Sequence, residues 1–275
     1  MKRLLLSTIF LLSVTFCSYA QVTIAPTSLF IDASSRFGSY MVINNSQVNQ
    51  EISIEFVFSY SASDTEGGRT IVEDDSSTMQ EHSIAEHVRA FPENFVLSPG
   101  QRQVVRLRIA APSNLEDGTY WARIKNRAAP ETPPVEIAQD EAVSANLGLI
   151  IEQVTGLYYK VGDVTTGITV DEIRTNMVND DVMTVYTDYS RTGNSPFLGT
   201  ILVSLENEDG NVVAQNQNST TLYFDGTNSQ DLNVSTLPSG EYTLRVRFET
   251  RRSDISSSDL VQMNPVSSST TITIP

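Results

Sequence analysis

Between Val88 and Lys125 the side chains alternate, apolar then polar, between strong turn signals, and few folds are open to a chain with that pattern. Ser98-Pro99-Gly100 breaks a short apolar run. Beyond it Val105, Leu107 and Ile109 point one way and Arg106 and Arg108 the other. A second turn, Leu115-Glu116-Asp117-Gly118, leads into a strand with Tyr120, Ala122 and Ile124 on one face and Trp121, Arg123 and Lys125 on the opposite one.

The same period of two recurs on both sides. Ile52, Ile54, Phe56, Phe58 and Tyr60 alternate without a miss and are expected in a core strand. Val22 to Ile31 reads as a strand bent at Ala25-Pro26, and Gly38 to Asn45 as the next. Ser61 to Ser77 is expected to be mostly polar loop around a short run at Thr70 to Val72. After a proline-containing loop from Arg127 to Glu141, every odd position from Val143 to Ile151 is apolar, which predicts the last strand, with Leu147, Leu149 and Ile151 in the core. Gly162-Asp163 marks a boundary, and strands at Ile168, Val182, Leu198, Val212, Thr221, Leu232, Tyr242 and Thr270 follow. The expected fold is all-β, two immunoglobulin-like β-sandwich domains in tandem over 21–160 and 161–275. No long 3.6-residue apolar period appears after the amino terminus, so helices should be few and short.

Met1-Lys2-Arg3, an apolar run from Leu4 to Phe16 and the ending Ser18-Tyr19-Ala20 read as a secretory signal over 1–20, cleaved before Gln21. The only cysteine, Cys17, lies inside it, and a lipid anchor there is the competing reading. With Cys17 removed, no disulfide, thiolate metal site or cysteine nucleophile is available in the oxidising compartment. Formal charge is −15, and becomes −17 once Lys2 and Arg3 leave, which disfavours nucleic acid and anionic membranes as partners.

Catalytic chemistry finds little to work with. His82 and His87 lie five residues apart, on opposite faces of a strand or about 140° apart on a helix, and three or four convergent metal ligands are not in view. They read as solvated loop residues. No serine sits in a G-x-S-x-G elbow, and the pairs Asp74-Asp75 and Asp180-Asp181 fall in turns. The chain reads as a non-enzyme without metal or cofactor.

A string of residues, Pro92, Phe95, Leu97, Pro99, Gly100, Gln103, Val105, Arg106, Leu107, Gly118, Tyr120 and Trp121, resembles the amino-terminal domain of the PapD-like periplasmic chaperones that assemble pili. The resemblance implies a periplasmic chaperone that lends an edge strand to an exported, pilin-like subunit, with an outer-membrane usher as a further partner. It implies Val143, Ala145 and Leu147 as client-binding positions. The family's two basic residues, which anchor the client's carboxylate in the cleft, would fall at Ser28 and Gly148. Neither is basic, so capture is expected to rest on the apolar edge and to vary little with ionic strength. The alternative reading is a structural or adhesive surface protein whose sandwiches act as rigid spacers.

The signal reading predicts a mature amino terminus at Gln21. A mass measurement of the exported form checks it, and a diacylglyceryl group on Cys17 would select the lipid anchor instead.

Overall fold

The computed structural model describes residues 22–131 and 149–275. In its first half are β1 (Val22–Ala25), β2 (Ser28–Asp32), β3 (Phe37–Asn44), β4 (Gln50–Val57), the hairpin β5 (Tyr60–Ser63) and β6 (Arg69–Val72), helix α1 (Ser76–His82), β7 (Val88–Phe91), β8 (Asn94–Leu97), β9 (Arg102–Ile109), β10 (Gly118–Pro130) and β11 (Ile151–Val161). They build two facing sheets, in the order β1-β3-β9-β7 and β2-β11-β10-β4-β8. That is the arrangement of an immunoglobulin-like sandwich. Two consecutive pairs, β1 with β2 and β7 with β8, divide between the sheets, and Pro26 and Pro92 stand at the crossings. Proline there forfeits no ladder hydrogen bond.

The alternations seen in the sequence become the core. Val105, Leu107 and Ile109 on β9 face Ile52 and Ile54 on β4, with Ala122 and Ile124 on β10 and Leu157 and Tyr159 on β11, all buried in one cluster. The odd positions of β10 and the even positions of β11 look outward. Burial of the Tyr40 hydroxyl raises its pKa, and it donates to Asn126 Oδ1 at 2.8 Å, so this polar pair inside the core is satisfied.

The second half repeats the plan with β12 (Thr166–Met177), β13 (Val182–Gly193), β14 (Phe197–Glu206), β15 (Val212–Leu222), β16 (Gly226–Asn233), β17 (Gly240–Glu249) and β18 (Val266–Ile274). Their sheets run β12-β13-β16 and β15-β14-β17-β18, around Val185, Phe197, Ile201, Leu205, Leu244 and Phe248. The turn between the halves needs Gly162, whose φ is +58°. A Cβ there would fall 1.8 Å from a carboxylate oxygen of Asp117.

Three expectations need correction. Among the described residues, the last strand of the first sandwich lies farther along than the expected Val143 to Ile151. It begins at Ile151 and runs to Val161, paired with β10 from Ala128↔Ile151 to Gly118↔Val161. The parity holds, since Leu157 and Tyr159 face the core, but Leu149 is outside the strand and 60% exposed. Register is set by the partners, β10 on one side and the parallel strand β2 on the other, and not by the first apolar alternation that the sequence offers. Second, Ser61 to Ser77 is largely structured, as β5, β6 and the start of α1. Third, β10 continues through Pro130, into the stretch expected to be loop from Arg127. Val143, Ala145, Leu147 and Gly148 lie outside the described residues.

Leu157→Ala should therefore lower stability by about 2–5 kcal/mol, the range for emptying a buried leucine site. Leu149→Ala should stay within about 0.5 kcal/mol, as exposed substitutions do. Urea unfolding of both variants checks the assignment.

Candidate functional site

The site begins with where β2 starts. β11 pairs with β10 over its whole length, but with β2 only from Gly156↔Ser28 to Lys160↔Asp32. On the β2 side the Gly156 N–H donates to the Thr27 carbonyl at 3.1 Å, and the Lys160 carbonyl accepts from the Ala33 N–H at 2.8 Å. Even-numbered backbone groups thus face that edge. By the alternation of a strand, those of Glu152 and Val154 face it too, where β2 is absent and β1 has crossed to the other sheet. Glu152 and Val154 are exposed. Among the described residues this half of β11 is an unpaired edge, directly after the segment 132–148.

A groove of about 950 Å³ lies beside it on the outer face of the sheet, lined by Phe56, Phe58, Ile71, Met79, Arg123 and Val154 among others. Ile71, Met79 and Val154 are exposed by 61%, 41% and 56%, so the wall is an apolar patch rather than scattered residues. Two cations rise from β10. Lys125 is held by Glu152 at 3.3 Å and Glu55 at 4.0 Å. Arg123 lies over the ring of Tyr223 at 5.5 Å, and no ion pair among the described residues involves it.

The helix that walls the groove is fastened by one carboxylate. Asp75 caps α1, accepting from the Thr78 N–H at 3.1 Å, the Thr78 hydroxyl at 2.6 Å and the Ser77 hydroxyl at 2.7 Å, while the Tyr60 hydroxyl donates to it from β5 at 2.7 Å. These donors, the Thr78 and Tyr60 hydroxyls foremost, hold its pKa well below the usual carboxylate range.

The inner end of the groove meets the second sandwich. Trp121, expected on the polar face of its strand, is 2% exposed, because the second half of the chain covers it. It joins Phe58, Tyr60, Tyr158, Leu198, Tyr223 and Leu260 in one cluster. Phe30 stacks on Tyr158 at 5.0 Å, and the hydroxyls of Tyr158 and Tyr223 lie 3.0 Å apart. Around this cluster the Thr119 N–H donates to the Asn194 carbonyl, Asn194 Nδ2 to the carbonyls of Asp117 and Asp163, and the Thr227 N–H to Ser63 Oγ. Apolar burial and a polar rim fix the two sandwiches together.

His82 also departs from its expectation. Far from solvated, it stacks on Trp121 with ring centroids 4.7 Å apart and 18° between planes. His87, in the short 3-10 turn Ala85–His87, does not join it. Among the described residues no group of three or more histidine, cysteine or acidic side chains could hold a metal ion. Ser28 lies in β2 opposite Gly156, and Gly148 lies outside the described residues. The sequence signal that could have found the site is the side of β10 that carries Trp121, Arg123 and Lys125.

Burial, with the positive field of Arg191 beside it, pushes the His82 pKa below its ordinary value despite the opposing charge of Glu81. The unfolded chain then binds the proton more readily, so this contribution is complete above pH about 6.5 and is lost as pH falls toward the folded value. His82→Phe, which keeps the stack, should flatten the loss of melting temperature between pH 7 and pH 5 relative to the parent.

No protein-family model matches the chain, and no curated protein does. By structure it is similar to the class 5 fimbriae chaperone CfaA at 13% identity and a TM-score of 0.46, with 90% of this chain and 98% of that chain covered. It is similar to a complex of the SafA pilin with the SafB chaperone from Salmonella enterica at 12% identity and 0.42, covering 91% and 96%. A third likeness is to the CsuC–CsuE chaperone–tip subunit pre-assembly complex of Acinetobacter baumannii, at 10% and 0.44, covering 90% and 98%. These identities and scores are too low to carry an argument about activity or partner.

Proposed function

We propose that the chain is an exported, periplasmic chaperone that binds an incomplete, pilin-like subunit by strand addition along β11. The observation that carries this is the unpaired edge at Glu152 and Val154, which offers backbone donors and acceptors next to an apolar groove. A client strand laid there gains main-chain hydrogen bonds, and its side chains reach the wall formed by Phe56, Ile71 and Met79. The odd-numbered residues Val143, Ala145 and Leu147 continue the inward parity of β11 and are the side chains this reading lends to the client. A buried, hydrogen-bonded junction between the sandwiches suits the role, because it fixes Tyr223 beside Arg123 at one end of the groove.

Charge enters through a residue the resemblance did not supply. With Ser28 neutral and opposite a glycine, Arg123 is the cation at the inner end of the groove that lacks an acidic partner among the described residues. A carboxylate of the client placed there gains a charge-assisted bond in a partly dry setting. The expectation of weak salt dependence gives way accordingly: capture should weaken as salt rises.

The test is co-purification of periplasmic clients with Val154→Pro, Val143→Asp and Arg123→Gln. Proline at 154 removes one outward N–H and leaves the β10 ladder intact, so the fold should melt as the parent does while the client is lost. Val143→Asp would bury an unpaired carboxylate and should lose the client too. Arg123→Gln should lower recovery and flatten its salt dependence. A client recovered undiminished with Val154→Pro would turn the reading toward the rigid spacer.

A further inference from the structure

Edge strands expose unpaired backbone groups, and proteins that remain apart blunt them with shortness, charge, proline or a bulge. Nearly every edge in this chain is blunted. β1, β7 and β8 have four residues each and β2 has five. β12 carries Asp171, Glu172 and Arg174 and a register shift between Val170 and Glu172, and β16 carries Asp231. β15 has a register shift at Leu205/Glu206, is tied to β16 by Asn216 Nδ2 donating to the Asp231 carbonyl, and is met at Thr221 by Ser61 and Arg69 from the β5–β6 hairpin. β18 lies close to β12 across the open side of the sandwich, as β15 does to β16, but among the described residues no hydrogen bond ties it there and no charge, proline or register shift blunts it. It is nine residues long, VSSSTTITI, without charge or proline, in unbroken register with β17 and last in its sheet. In a chain with 19% charged residues, an uncharged strand of that length at an edge calls for a reason.

We propose that β18 is the contact through which two copies of this chain associate, antiparallel about a two-fold axis near Thr270, so that two four-stranded sheets become one continuous sheet. The inference is independent of client binding and rests on charge and on self-complementarity. At −15 per copy, like molecules repel over most of their surface, so they can approach only where charge is absent. β18 is such a place. The arginines beside it on β17 are neutralised within the chain, Arg245 by Glu206 at 2.8 Å and Arg247 by Glu249 at 3.4 Å. A partner of opposite charge would be drawn to the acidic surface instead.

The sequence of β18 also largely matches itself when reversed, the exception being Ser268 opposite Ile272 on the inner face. About Thr270, Ser269 comes opposite Thr271 and Ser267 opposite Thr273 on the exposed face, while Val266 meets Ile274 on the inner one. Hydroxyl pairs and β-branched apolar pairs are among the favourable cross-strand neighbours. A closed, isologous dimer follows, because the same edge is used on both copies and is consumed by the contact.

Sedimentation equilibrium of the exported chain tests this. The parent should dimerise at micromolar concentration, and more tightly as salt screens the like charges. Ser269→Lys with Thr271→Lys sets cations directly opposite one another across the axis, and should weaken the dimer by at least about tenfold with melting temperature unchanged. Ser269→Lys with Thr271→Glu makes the same positions complementary and should restore it. Val212→Lys, on the opposite edge of the sheet, should dimerise like the parent. A parent that stays monomeric at every concentration overturns the proposal, as does a double-lysine variant that dimerises undiminished.

Discussion

The short parallel ladder between β2 and β11, from Gly156↔Ser28 to Lys160↔Asp32, is the constraint on which the rest of the molecule depends. It closes the first sandwich at its lower end and sets Phe30 on Tyr158, the pair on which Tyr223 and the second sandwich rest. It also stops at Gly156. A strand that begins in one sheet and finishes in the other can complete only part of either, and the part left open here is the upper half of β11. Gly156 belongs to the same logic. A Cβ at that position would press on the Tyr158 ring at 2.9 Å and disturb the stack that holds the halves together.

Alternation made much of the fold legible, because a strand with one face in a core must repeat every second residue. Ile52, Val105, Leu107, Ala122 and Ile124 were readable in this way and are buried as expected. Leu149 shows the limit. Alternation gives parity but not extent, so the apolar run from Val143 to Ile151 carried the right phase while the paired strand lay farther along. What decides extent is the partner strand, and pairing with β2 depends on contacts between residues more than a hundred positions apart in sequence.

The site was less legible, because its defining burial comes from the other sandwich. Trp121 alternates with Tyr120 and Ala122 and so belongs to the polar face of its strand, yet it is among the most buried residues of the chain. Nothing local distinguishes a tryptophan awaiting a second domain from one awaiting solvent. His82 follows from it, since its ring packs on Trp121 through a helix that Asp75 caps. That cap was only half legible: Asp75 is an N-cap residue type, but Thr78 stands where a capping box would have Glu or Gln. The serines and threonine around it read equally well as a polar loop.

Electrostatics separates what the two sandwiches can do at their edges. The open half of β11 carries Glu152, paired with Lys125 of β10, and Arg123 stands at the inner end of the groove, so on the proposed reading a strand arriving there meets charge and is selected by it. The edge at β18 meets none, and what it selects is likeness of pattern. On the proposed reading, the described residues present two unpaired backbone edges that do not compete: a client strand with a carboxylate would gain at β11 and find no such anchor at β18. A second copy, with its net negative charge, gains nothing from Arg123 that it would not forfeit to Glu55 and Glu152 nearby. Because both kinds of contact draw on the same backbone hydrogen bonds, it is side-chain charge, placed on one edge and withheld from the other, that keeps them apart.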